Sequence, residues 1–357
     1  MGLKEWLGFY LGVSAIILRE LFIAFPEMTE KWYSRGFFPL VRVSIDHTLA
    51  LFPFPTVYLF FLGLLVFIYL IVLACVKRPN LKSKVGYLFR AFSNFLGSLV
   101  FMFLVLWGFN YQRIPVFQQL SLQPQPMELP VLIQEMNDTH DVLLELRCQL
   151  QVDTAELQFN FSSREWMEKV SDQMEREMPL LGFRYDGAPR VKAFFPPGFM
   201  RKMGIYGIYF PFTGEGYLDP TLHPLEKPFT MAHEMAHGCG ISDEGEANFI
   251  SWIICSKSQD PWLQYVGQLK LFRYQMNDLY RMDGKGYEDF VKRMDLGVKN
   301  DIRAILANNL AHPPMFLKLS KMSNDLYLKS QGVKAGIKSY TQLPMLAHAW
   351  KMKSLKN

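Results

Sequence analysis

The stretch "PFTMAHEMAHGCGISDEGEANF", residues 228–249, decides how the rest of the chain is read. Pro228 suits a first helical turn, where a missing N–H is harmless, and Gly238 and Gly240 stand where that helix should end. Between them His233 and His237 are four residues apart, so both imidazoles project from one face about one turn apart. Nitrogens so placed can meet a single tetrahedral Zn²⁺. Glu234 follows the first histidine directly, where a carboxylate can act as general base on water at the metal. The plainer reading is a helix that happens to carry two histidines, because so short a motif also arises by chance. After the glycine turn, "SDEGEANF" opens a second helix, with Ser242 or Asp243 as N-cap and Ala247, Ile250 and Ile253 or Ile254 on its apolar face. Asp243, Glu244 and Glu246 lie in its first turn. A helix packed antiparallel to the first aims some of these carboxylates at the histidines, although the helix dipole favours acids there in any case.

Outward from this stretch, the composition bounds the class. The chain has 357 residues, half of them apolar, and a formal net charge of +5. Its mean hydropathy lies barely above zero, too high for an ordinary soluble protein and too low for a polytopic transporter. Membrane spans joined to one soluble domain fit that balance. No long basic run interleaved with aromatics suggests a nucleic-acid surface, so nucleic acid is not expected as a partner. The four cysteines, at 75, 148, 239 and 255, form no CxxC pair and report no redox compartment. There is no internal repeat and no low-complexity tract.

Three apolar segments precede residue 110. Thr56 to Val76 and Ala91 to Phe109 are uncharged and long enough to cross a bilayer as helices, which takes about 20 residues. Trp6 to Phe25 is interrupted by Arg19 and Glu20, which can pair with each other or sit at the headgroups. No A-x-A-like site follows it, so it reads as a retained span rather than a cleaved signal peptide. The spans are therefore expected at about 6–25, 56–76 and 91–109, in a membrane anchor of residues 1–110. Lys77, Arg78, Lys82, Lys84 and Arg90 put five basic residues and no acid between the second and third segments, which assigns that hairpin to the cytoplasm. Everything after Phe109 then lies outside the cytoplasmic membrane.

Residues 111–130, rich in Gln and Pro, read as a linker. Residues 131–183 carry helical periodicity, and Ser162 with Glu165 spells a capping box that opens a helix through Met178. Between Val191 and Leu218 short aromatic and β-branched runs broken by Gly and Pro suggest a few strands. Helical patterns return after Glu246 and continue to Ala349. The expected fold class is α+β, mostly helical, with N-terminal transmembrane helices followed by a soluble domain of residues 131–357 that has a small sheet and the His-Glu-x-x-His helix.

"HEMAH" followed by "EGEAN" resembles the gluzincin pattern of zinc peptidases, in which a later helix supplies a glutamate ligand. On that resemblance Glu244 takes the third-ligand position, and Asn248 stands where the family has an acidic partner for a ligating histidine. The short interval after His237 resembles instead the metzincin pattern HExxHxxGxxH, which aligns Gly240 with its glycine and Asp243 with its third ligand. Glu244 ranks first as third ligand, Glu246 second and Asp243 third. More widely, "YSRGFFPL", "WGFNYQR", "YGIYFPFTGEG", "HEMAHGCG" and "EGEANF", spread over residues 33–249, resemble an uncharacterised bacterial family of three-span, membrane-anchored HExxH proteins. That resemblance implies a zincin-like domain and a metal site, and no substrate.

The expected function is that of a membrane-anchored zinc metallopeptidase in the bacterial cytoplasmic membrane, with its soluble domain outside the cytoplasm. Zn²⁺ is expected on His233, His237 and Glu244, with Glu234 as general base. Its partners are the lipid bilayer and a peptide or protein substrate, such as one of the cell envelope. "GIYGIYFPF", Gly204 to Phe212, is either the edge strand that holds an extended substrate or a core strand. Tyr340 and His223 are candidate oxyanion donors. Glu215 reads as a turn residue, and Cys239 as a small buried hydrophobe. The alternative is a catalytically silent envelope binding or scaffold protein, in which zinc only staples two helices together or the domain binds a partner.

Overall fold

A computed structural model describes residues 3–158, 161–332 and 342–354, and it is mostly helical with one three-stranded sheet. The chain divides into two compact units, residues 1–114 with 210–215, and residues 115–209 with 216–357.

The first unit is built on α1 (Leu7–Ala24), α2 (Val57–Val76) and α3 (Leu81–Leu106). With α1 extended back to Lys4, all three are long and apolar enough to cross a membrane. Leu65, Tyr69, Leu70 and Val76 of α2 face outward, as side chains bathed in lipid do. α1 and α3 pack together through small residues. A methyl group on Gly12 would lie 2.5 Å from the Gly97 Cα, and one on Gly97 would lie 2.3 Å from the Gly8 carbonyl oxygen. Gly8 and Gly12 have the small-xxx-small spacing that lets helix backbones approach in lipid. Asn94 reinforces the crossing by accepting from Phe9 N (3.2 Å) and donating to the Glu5 carbonyl (2.7 Å). Arg19 and Glu20 pair with each other at 2.8 Å. The third span begins earlier than expected. Asn80 caps it, accepting from Ser83 N at 2.9 Å, so Lys82, Lys84 and Arg90 ride on the helix and the basic connector shrinks to a short turn.

Between α1 and α2 the chain is helical again rather than an open loop. Thr29–Phe37 forms wide turns and Phe38–Asp46 an α-helix, tied down by Glu30, which accepts from Arg35 (2.7 Å) and Arg113 (2.8 Å). Residues 210–215 join this unit through Arg42, which donates to the Gly214 carbonyl at 2.7 Å, and through Phe60, stacked on Phe212. The Glu215 carboxylate is buried and accepts from the Thr56 backbone N (3.0 Å) and hydroxyl (2.8 Å), so it is a structural anchor rather than a free turn residue.

The second unit contains α4 (Leu129–Gln149), α5 (Ser163–Leu180), β1 (Val191–Ala193), β2 (Gly207–Phe210, whose last residue belongs to the first unit), β3 (Glu215–Leu218, whose first residue does likewise), α6 (Lys227–Gly238), α7 (Glu244–Ser256), α8 (Pro261–Met282), α9 (Gly284–Arg293), α10 (Leu296–Ala311), α11 (Leu317–Ser330) and α12 (Leu343–Ser354). α6 packs on α5 and α7, and α8 packs on α7 and α4. Leu132, Met136, Trp166, Val170, Ala247, Ile250, Leu269 and Phe272 fill the core between them. The stretch expected as a linker is partly core as well. Val116, Leu120 and Leu122 are buried, because a short helix at Val116–Gln119 brings their apolar side chains to one side. The capping box is present: Ser162 accepts from Glu165 N (3.2 Å), and Glu165 accepts from Ser162 N (2.6 Å). The strand order is β1-β3-β2, with β1 parallel to β3 and Val191 opposite Gly216. β2 is thus an edge strand.

Candidate metal centre

α6 ends as its glycines require. Gly240 lies at φ +81, Gly240 N donates to the His237 carbonyl (2.9 Å) and Ile241 N to that of Ala236 (3.1 Å). This turn reverses the chain into α7, whose N-cap is Asp243, accepting from Gly245 N (2.9 Å) and Glu246 N (3.1 Å). Asp243 is committed to that cap. Glu246 lies close to Phe117 N (3.4 Å). Glu244 is the carboxylate brought against the histidines.

Glu244 Oε2 lies 3.0 Å from His233 Nε2 and 3.2 Å from His237 Nε2, and the two Nε2 atoms are 3.1 Å apart. Among the described residues these three form the group able to hold a metal ion. Donors about 2.0–2.1 Å from a tetrahedral zinc stand roughly 3.3 Å from one another, so the triangle fits with little adjustment. The proton count supports the same reading. His237 Nδ1 lies 2.7 Å from the Ile241 carbonyl oxygen, which can only accept, so one proton sits on Nδ1, and loss of the proton on Nε2 would turn that lone pair toward the other two donors. His233 Nδ1 is buried without a hydrogen-bond partner, and Asn248 instead donates to Tyr274 Oη at 3.4 Å.

Electrostatics bind the cluster in its ion-free form. Burial opposes charge on His237, but Glu244 prevails and lifts the imidazole to about 9. Burial would raise Glu244, yet His237 and His233 hold it well below the usual carboxylate range. A divalent cation would take the place of the shared proton.

Glu234 is 4 % exposed and lies beneath the sheet. Side chains are excluded above it: a Cβ on Gly207 would fall 2.4 Å from Glu234 Oε1, and one on Gly216 would fall 2.8 Å from Glu234 Cβ. Burial raises the carboxyl to about 8, with His237 opposing, Glu244 adding, and the backbone N–H of Tyr209 donating to it. The strand read from the sequence as either edge or core thus touches the expected base through Tyr209.

His223 is engaged away from the cluster. Its Nδ1 accepts from Leu225 N (3.2 Å), and its Nε2 pairs with Glu156 (3.5 Å). Tyr340 lies outside the described residues. Cys239 caps the end of α6. Sequence reasoning missed two neighbours on α8, Lys270 and Tyr274. Burial pushes Tyr274 up to about 12, and the charge of Glu244 acts on it, so it keeps a hydroxyl proton near the cluster. The available signal was a lysine and a tyrosine in register with the apolar stripe of Leu263 and Gly267.

The chain so described is mostly helical, with three membrane-length helices and a buried His-His-Glu cluster on two helices. It belongs to the family described as "Protein of unknown function (DUF3810)", whose family model matches residues 33–348. Neither the curated proteins nor the solved structures contain a match to it.

Proposed function

We propose that the chain is a membrane-anchored zinc metallopeptidase of zincin type, with His233, His237 and Glu244 as the metal ligands and Glu234 as general base. The observation that carries this reading is the convergence of two Nε2 atoms and one carboxylate oxygen within 3.0–3.2 Å, with His237 Nδ1 anchored on a carbonyl. When bound there, zinc supplies Lewis acidity, polarising a carbonyl and making water nucleophilic near neutral pH. With zinc bound, Glu234 would be the residue to take a proton from water and pass it to the leaving nitrogen. Tyr274 keeps a neutral O–H that can donate to the developing oxyanion. β2, at the edge of the sheet, is the strand alongside which an extended peptide would pair. The basic residues from Lys77 to Arg90 support a cytoplasmic α2–α3 turn, and with it the reading that the second unit works outside the cytoplasm.

A second reading, a zinc staple without turnover, is favoured by one observation, the near-complete burial of Glu234. Full-length protein in detergent, incubated with a peptide library, separates the two. The peptidase reading expects cleavage by wild type and a loss of roughly 100-fold or more in Glu234→Gln with zinc retained. Zinc in both proteins with cleavage in neither identifies the staple.

A further inference from the structure

A cation without a counter-ion stands beside the metal centre. α8 places Lys270 and Tyr274 one helical turn apart on one face. The Lys270 ammonium lies 5.3 Å from the ring centre of Phe229 and 5.7 Å from that of Tyr274. Phe229 precedes His233 by one turn of α6, and Tyr274, on the lysine's own helix, accepts from Asn248 of α7, so one ring comes from a helix of the cluster and the other is tied to one. Its charge acts on His233. Among the described residues Lys270 has no hydrogen-bond or ion-pair partner. The acid whose charge acts on it, Glu226, is bonded to Arg273 at 2.9 Å. A half-buried ammonium that faces two rings and feels Glu226 only at a distance gains from an incoming anion.

We propose that Lys270 anchors a carboxylate of the substrate, so that the site takes peptides presenting one negative charge close to the bond to be cut. The proposal rests on the hydrolase reading above for the substrate being a peptide. A single lysine between two aromatic rings suits one carboxylate with an apolar neighbour, whereas a phosphate would call on a second free cation, and Arg273 is already engaged. Burial holds the ammonium down at about 8, as expected for a charge awaiting its partner. The carboxylate can be the peptide's own C-terminus or an acidic side chain.

The test measures binding, so that it does not depend on turnover. Zinc-loaded, full-length Glu234→Gln protein in detergent is titrated by calorimetry with acetyl-Ala-Phe-Gln-Ala as the free acid, as the amide, and as the amide with Glu replacing Gln. One charged form should bind about tenfold or more tighter than the neutral amide, and which one it is identifies the source of the carboxylate. Lys270→Met should erase the preference and Lys270→Arg should keep it, with zinc content confirming that each variant is folded. Equal binding of all three forms, no binding of any, or a preference that survives in Lys270→Met overturns the proposal. Cleavage by wild type together with any of these results removes the anchor and leaves the peptidase, whereas zinc without cleavage removes the peptidase reading independently.

Discussion

At the scale of single residues, the site joins groups whose charges answer one another to one that is unanswered. His237 and Glu244 stabilise each other's ionised forms, while Lys270 has only ring faces. Its ammonium releases a proton near pH 8 in the folded chain but at 10.5 in an unfolded one. Between those values the unfolded state binds more protons, so wild-type stability rises with pH across the window. Without ligand, Lys270→Met should therefore melt higher than wild type at pH 7, and the difference should shrink as pH goes from 8 to 10.5. Thermal melts at several pH values check this, and a lower melting temperature for the variant at pH 7 speaks against an uncompensated charge. The histidines, Glu234 and the cap at Asp243 were legible in sequence because each depends on spacing along one helix or across one turn. Lys270 and Tyr274 were not, because they reach the site from α8, and only packing shows that a lysine in an apolar stripe faces the cluster. The burial of Glu234 was also hidden, since it depends on Gly207 and Gly216 passing over it.

At the scale of elements, small residues and caps determine where helices meet. Gly12 has no room for a side chain against Gly97, so Gly12→Val should force α1 from α3. A cysteine pair engineered across the α1–α3 crossing should crosslink efficiently in the parent and poorly in this variant; equal yields would remove the close-packed crossing. The carboxylate of Glu135 on α4 holds α12 through His348 (2.7 Å) and Lys351 (2.6 Å). Burial would raise Glu135, but those two partners outweigh it and depress the carboxyl. A depressed carboxyl stabilises the fold above its unfolded value and loses that contribution as pH falls through the folded value. α12 should thus loosen in acid below the ordinary carboxylate range, and Glu135→Gln should show the same looseness at neutral pH. Hydrogen exchange in 343–354 reads both, and unchanged protection in the variant would show that apolar packing of Leu343, Leu346 and Ala347 suffices. Membrane-length helices and the capping box could be read from the chain because hydropathy and caps are local. The burial of Val116, Leu120 and Leu122 could not, since Gln and Pro masked a stripe that only the completed core reveals.

At the scale of the whole molecule, a membrane-length helical unit and a helical unit with a His-His-Glu cluster coexist in one chain of the DUF3810 family. Composition already announced the mixture, because mean hydropathy near zero in a chain with three apolar segments requires a polar remainder. The measurement that tests the central claim most directly is zinc content of the full-length protein in detergent by mass spectrometry, with wild type beside His233→Ala, Glu244→Ala and Glu246→Ala. The account predicts about one zinc per chain in wild type and Glu246→Ala, and most of it lost from the other two. Zinc retained in Glu244→Ala, or absent from every sample after reconstitution, would contradict it.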